Sequence, residues 1–443
     1  MSFPPDGTGR PFRPAPATGP DPGRRQPRLD ERFVLRVGLM LSAGFVAVAL
    51  AAYALPAVVH GHWAGLHLAL AGAATVAIGT FMPHFGVTLA GSVSEPASLR
   101  MGGVAALAAG AALVVIGMTA PAVGVTLTGA GLLWIGLAIT AWTTLRPGLR
   151  PLARRHPIAQ LAYAVALLDV AIGIGLPVLL LLGWEPALAG WARLQPAHVW
   201  LNVFGFLSLT ISATLVYLYP TIVGARIRAT PSLAIMVGGG IAGPPLVAVG
   251  AIIDASPVAV VGAAITLAGA AGQVAYALDA WRRRGRWTTD AGWHRLTAGH
   301  LSAAMAWYLA AVATAAVGIL NDGPAPAAWS IGPLAIPLVA GWALQVLAGA
   351  WAHLLPAVAS TDPARRARQR SVLGTAALTR LVAWNAGALL GWAGLATRSL
   401  PVAVAGMVLF IGAIAVAIGL LVRALWPAGA GSEKPRADIP LPG

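Results

Sequence analysis

A chain of 443 residues that is 58% hydrophobic, with a mean hydropathy of +0.77 and only 10% charged residues, is excluded from the ordinary soluble class. Its net charge of +15 and pI near 11.5 would suit nucleic acid, but the arginines stand at segment ends rather than along one face, which argues against such a partner. No cysteine is present, so disulfides, covalently attached c-type haem, thiolate copper sites and iron–sulfur clusters are excluded, and any metal or haem must be held by the nine histidines, by carboxylates or by neutral oxygens.

Residues 1–33 are rich in Pro, Gly and Arg and lack the apolar core and cleavage site of a signal peptide. They read as a disordered cytoplasmic tail, as do residues 426–443. Between them, residues 34–425 form the membrane domain. Apolar segments lie near 34–58, 63–90, 101–119, 121–144, 158–182, 197–222, 231–253, 257–280, 297–320, 332–356, 378–396 and 400–424. A crossing needs about 20 mostly apolar residues, and long unbroken runs satisfy their backbone in lipid only as helices. The expected fold is therefore all-α, a polytopic membrane protein with twelve transmembrane helices.

The connections alternate in charge. Of the 29 Lys and Arg, all but Arg193 and Arg398 fall on the side of the two tails. Cytoplasmic loops collect basic residues, so both termini are predicted to be cytoplasmic and the protein to lie in the cell's plasma or inner membrane, with the lipid bilayer as its surroundings. Trp63, Trp184, Trp191, Trp200, Trp281, Trp287 and Trp426 cluster near the predicted interfaces as an aromatic belt.

In chain order, chemistry first appears in "HGHWAGLH", where His60 and His62 lie in the first outer connection and His67 is one turn into the second segment. Imidazole is a common haem and copper ligand, although this spacing is no zinc signature; solvated loop histidines are the plain alternative for His60 and His62. "GAATVAIGTFMPH", "GFLSLTISATLVY" and "GWALQVLAGAWAH" then recur in the second, sixth and tenth segments, 133 and 136 residues apart. Each places His84, Tyr217 or His353 twelve residues after its aligned glycine, Gly72, Gly205 or Gly341. The repeat predicts three four-helix units around a pseudo-threefold axis, with these three helices at the centre. His84, Tyr217 and His353 would be ligands or polar anchors at the headgroup level.

Asp169, near the middle of the fifth segment, is expensive in lipid and so a candidate proton carrier, or else a neutral acid closing a helix contact. The sixth segment carries His198, Asn202, Thr210, Thr214 and Tyr217, mostly four apart, a stripe that must face the interior. It reads as a cofactor wall or hydrated path, or as hydroxyls and amides joining helices. Asn202, one turn below His198, could orient its ring. His300, with His84 and His353, lies near a cytoplasmic helix end.

The stretches "HLALAGAATVAIGTFMPHF", "HVWLNVFGFLSLTISATLVYLYPTIVGARIR" and "GWALQVLAGAWAHLLP" resemble the membrane regions of actinobacterial copper oxidase or nitrite reductase-like proteins, and more distantly the NnrS family and subunit I of the haem–copper oxidases. The resemblance implies twelve helices in three arcs, a haem-ligating His67 on the second helix and a copper-ligating His198 on the sixth, with haem or copper as cofactor. The seventh segment has no His pair and the outer half of the tenth has no His, so dioxygen reduction at a haem–copper centre does not carry over. Two functions follow. One is a redox-related haem- or copper-binding protein using His67, His198 and, for copper, His62, with a redox partner protein left unspecified. The other is a proton-coupled permease or small-solute channel using the polar stripe and Asp169. Whether the chain is an enzyme stays open.

Overall fold

The computed structural model describes residues 30–54, 62–149, 157–285, 291–324 and 334–426. Most of the two predicted tails, His60, His156 and Trp287 lie outside them, as does the side chain of His62. Among the described residues the chain is all-helical, with no strand. Helix α1 is Glu31–Ala54. Helix α2 runs from His62–His67 through a π-helical stretch, Leu68–Ala74, into Thr75–Ala90. Helices α3 (Ala97–Thr119), α4 (Val123–Leu145) and α5 (Pro157–Leu181) follow. Helix α6 joins Glu185–Val199, a π-helical Trp200–Ser208 and Leu209–Val223. Then come α7 (Pro231–Ile252), α8 (Ser256–Arg282) and α9 (Ala291–Asp322). Helix α10 comprises a π-helical Ile336–Ala343 and Leu344–Ala359. The short α11 (Pro363–Leu373) precedes α12 (Ala377–Ala396) and α13 (Leu400–Leu425).

Eleven of the described helices are long and apolar enough to cross a membrane. The remaining long one, α12, has 20 residues interrupted by Arg380 and Asn385, and it packs along α13. The sixth segment differs most from its sequence reading. Its helix starts at Glu185, because Trp184 is extended and Pro186 suits a first helical turn, so "EPALAGWARLQPA" is helix rather than connection. At 1.5 Å per residue, Glu185–Val223 is about 58 Å long, far more than a bilayer's hydrocarbon core of about 30 Å.

Three helices form the inside. The most apolar windows of α2, α6 and α10 are 78%, 83% and 72% buried, against 28–56% for the other spans. They touch one another: α2 packs on α6 and on α10, and Trp342 Nε1 of α10 donates to Ser208 Oγ of α6 at 3.0 Å. Each carries its π-helical stretch around the aligned glycine, and each glycine receives a side chain from the helix before it. Phe45 sits against Gly72, Asp169 against Gly205 and Trp307 against Gly341, so a Cβ at any of the three would collide. Where a π-turn ends, Thr75 Oγ1 donates to Leu70 O at 3.0 Å and Ser208 Oγ to Val203 O at 2.8 Å, each five residues back.

A second repeat, invisible to the hydropathy pattern, lies in the hairpins α3–α4, α7–α8 and α12–α13. Gly110 crosses Gly129, Gly243 crosses Gly262 and Gly387 crosses Gly406, every pair 19 residues apart. A Cβ on either member would lie 2.7–2.9 Å from its partner's carbonyl oxygen, so only glycine permits this approach. The turns match as well: Ala122, Ala255 and Ser399 each donate N–H to a glycine carbonyl five residues back (Gly117, Gly250, Gly394) at 2.8 Å. The third hairpin lies 144 residues after the second, against 133 between the first two, and α11 occupies the surplus.

Adjacent glycines of α7 test this packing. A Cβ on Gly239 would stand 2.5 Å from Gly269 Cα of α8, whereas one on Gly238 meets nothing within 4 Å. Gly239→Ala is expected to destabilise the purified protein by about 2 kcal/mol through overpacking. Gly238→Ala should be neutral or stabilising by up to about 1 kcal/mol, since glycine is a poor helix former. Thermal unfolding of both variants in detergent reads the difference, and equal melting would refute the close crossing.

Candidate functional site

The first turn of α2 places His67 one turn beyond Trp63. Its Nδ1 lies 2.9 Å from the Trp63 carbonyl oxygen, and its ring stacks on the indole with centroids 3.9 Å apart and planes at 24°. A carbonyl can only accept, so Nδ1 carries the proton and Nε2 keeps its lone pair. His198 repeats this chemistry with a different carbonyl. Its Nδ1 is 2.7 Å from Gly173 O of α5. The amide of Asn202 donates to His198 O at 2.7 Å; its nitrogen also lies 3.1 Å from Nδ1, but both are donors once Nδ1–H goes to Gly173 O, so that carbonyl orients the ring and Asn202 only packs beside it. Gly173 is required here, because a Cβ would run into the Asn202 amide. The two imidazoles thus share one state, each giving Nδ1–H to a backbone carbonyl.

They are nonetheless not symmetry counterparts. The offset of 133 that relates α2 to α6 pairs His67 with the fully buried Trp200, and His198 with Gly65. Trp200 stacks on Phe204 at 4.1 Å inside the bundle, so it does not belong to the interfacial belt. Sequence periodicity aligned these helices but not the two-residue shift between their histidines.

The polar stripe on α6 faces α5 for much of its length. Besides His198 and Asn202, Thr214 Oγ1 meets Tyr163 OH at 2.9 Å and donates to Thr210 O at 2.9 Å. Thr210 Oγ1 has no hydrogen-bond partner, and Tyr217 is half-buried against the core. Asp169 is buried, with Oδ2 against Gly205 and no hydrogen-bond partner for that oxygen. A second hydroxyl pair escaped the sequence reading: Ser208 receives Trp342, and Ser212 Oγ donates to Gln273 Oε1 of α8 at 2.6 Å. Their four-residue spacing was the available signal, masked by the aliphatic residues around them.

The other histidines sit elsewhere. His84 Nδ1 contacts Glu31 Oε1 at 3.2 Å, and Arg100 Nη1 donates to the same oxygen at 2.8 Å, making His84 part of an ionic anchor. His353 stacks on Trp293 at 5.2 Å, and His300 meets the edge of Trp384 at 5.3 Å. Among the described residues no group of three or more His, Asp or Glu side chains is placed to hold a metal ion. His62, offered as a third copper ligand, has its side chain outside them. In comparisons with known proteins, the chain matches no family model, and no curated protein matches it significantly.

Proposed function

We propose that this is a multi-pass membrane protein of the haem–copper oxidase subunit I or NnrS-like type, with a redox-related role and a haem held by His67 and His198. The observation that carries this reading is the matched state of the two imidazoles. Each spends Nδ1–H on a backbone carbonyl and leaves Nε2 as a donor, the arrangement in which ligating histidines are fixed. Haem would suit this donor set better than copper, since the macrocycle brings most of the iron's ligands with it and His67 and His198 would complete them. Bound, it would supply one-electron chemistry; the Trp63 and Gly173 carbonyls orient the ligand rings, Asn202 packs beside His198, and the surrounding apolar residues exclude water. Purified protein should then show a Soret band with about one haem per chain. Absence of both haem and stoichiometric copper after metal-replete expression would reject the reading.

The architecture behind it has twelve crossings, with α12 as the eleventh, grouped as three four-helix units around a pseudo-threefold axis. The threefold recurrence of π-turn, glycine seat and hairpin supports this grouping. Both termini would be cytoplasmic, from the placement of basic residues. A reporter fused at the α7–α8 turn after Asp254 should read as extracytoplasmic, and one within α11 after residue 367 as cytoplasmic. The opposite pair of readings would overturn the topology.

One observation favours a second function. The unpartnered Oδ2 of buried Asp169, one turn before the carbonyl that holds His198, suits proton coupling in a permease or channel without a cofactor. Proton-coupled uptake by haem-free protein in vesicles, lost in Asp169→Asn, would select it.

A further inference from the structure

The ring of helices closes unevenly. Helix α4 packs on α5, and α8 packs on α9, but no comparable packing joins α13 to α1. A groove separates them, floored by α10, and it holds two cavities of about 100 and about 40 Å³ that share Val46 and Leu344 in their walls. The larger is lined wholly by apolar side chains and glycine, such as Ala49, Ile336, Gly391 and Phe410. Apolar cavities of this kind stay dry and take hydrocarbon.

The smaller cavity differs in chemistry. Trp351 and Arg380 line it, only 6% and 8% exposed, and neither Trp351 Nε1 nor Arg380 Nε has a hydrogen-bond partner. Both are N–H donors, and burying them without an acceptor is unfavourable. Arg380 Nη1 is already engaged with Leu373 O at 2.8 Å and Thr375 O at 3.3 Å, which fixes the guanidinium in place. Leu373, from the same wall, ends α11, whose Arg365, Arg366, Arg368 and Arg370 bring four more positive charges to this end of the groove. Arg365 and Arg368 hold α11 to the end of α13 through Leu425 O and Trp426 O.

We infer that the groove between α1 and α13 binds an anionic phospholipid of the bilayer, its phosphate facing Trp351, Arg380 and α11 and one acyl chain lying along α10. The apolar cavity selects the chain, the unpaired donors select an acceptor, and the arginines select negative charge. The dimensions agree. From Leu421 to Met407 the groove follows fourteen residues of α13, about 21 Å. That exceeds half of a hydrocarbon core of about 30 Å, so a chain hung from the arginine end has room to lie in it. The inference does not depend on haem binding.

Native mass spectrometry tests it on the full chain in mild detergent, offered phosphatidylglycerol and phosphatidylcholine with identical acyl chains. Wild type should retain one phosphatidylglycerol, preferred over phosphatidylcholine by at least about fivefold, the effect of one basic contact at a membrane surface. Trp351→Phe keeps an aromatic ring while removing a donor to the phosphate that both lipids carry, and should lower retention of both; Arg380→Gln removes a buried positive charge and should reduce the preference for phosphatidylglycerol. Ala417→Phe, which fills the smaller cavity, should lower retention of both lipids. If Arg380→Gln fails to fold, the other two variants decide. Equal retention of the two lipids, unchanged retention in Ala417→Phe, or release of a neutral isoprenoid in place of phospholipid would each overturn the assignment.

Discussion

His67→Ala and His198→Ala are each expected to strip haem from the purified protein, lowering Soret absorbance relative to protein by more than tenfold. Loss of an outer-shell partner of a ligand alone weakens metal binding by about 10–100-fold, and loss of the ligand should do no less. The effect should exceed that of Asn202→Ala, because Gly173 O would still orient the His198 ring in that variant. His353→Ala serves as the control, since its ring packs on Trp293 away from the pair. If either ligand variant kept its Soret band while folding normally, that histidine would be no ligand. If His353→Ala alone lost it, the site would have to move to the other end of the bundle.

Glu31→Ala should produce the largest loss of stability. Arg100, its side chain 2% exposed, donates to Glu31 Oε1 and to Thr80 O, and its Nε has no hydrogen-bond partner. Removing the carboxylate leaves a buried guanidinium without a counter-charge, which in fully buried pairs costs about 3–5 kcal/mol. Glu31 is itself 37% exposed, so water compensates in part and the lower end, about 3 kcal/mol, is expected. Because the penalty is an unpaired charge, the double variant Glu31→Ala/Arg100→Met should regain most of it. Thermal unfolding in detergent measures both. A Glu31→Ala protein as stable as wild type would show that the pair does not anchor α1 to α2 and α3.

The helices were legible in the sequence because lipid allows a long apolar run few other structures, and their central members were legible because Gly72, Gly205 and Gly341 recur in register. What those glycines receive was not legible. Phe45, Asp169 and Trp307 share no chemistry, only a place one helix earlier, so no residue-type pattern links them. The hairpin repeat was hidden for a related reason: Gly110/Gly129 and their two counterparts are 6 of 53 glycines, and backbone proximity has no side-chain signature. The stripe on α6, expected to face the interior, lies against α5, with His198, Asn202, Thr214 and Tyr217 half-buried. Its main neighbour, α5, could not be read, because Gly173 contributes a carbonyl rather than a side chain. His67 was singled out by its type, yet what holds it is the carbonyl and ring of Trp63, a residue first read as part of an interfacial belt.

The π-helical stretches of α2, α6 and α10 have a geometric consequence of their own. An α-helix advances 100° per residue, so each surplus residue accommodated by a widened turn resets the phase of everything after it. In α6, His198 and Asn202 precede or enter the stretch and Thr210 and Thr214 follow it, yet both groups reach α5. On an unbroken helix over 50 Å long, a stripe at four-residue spacing would drift off its neighbour by about 40° every repeat. The wide turn acts as a vernier: it takes up accumulated rotation midway, and keeps one rod in register with the same partner on both sides of the break.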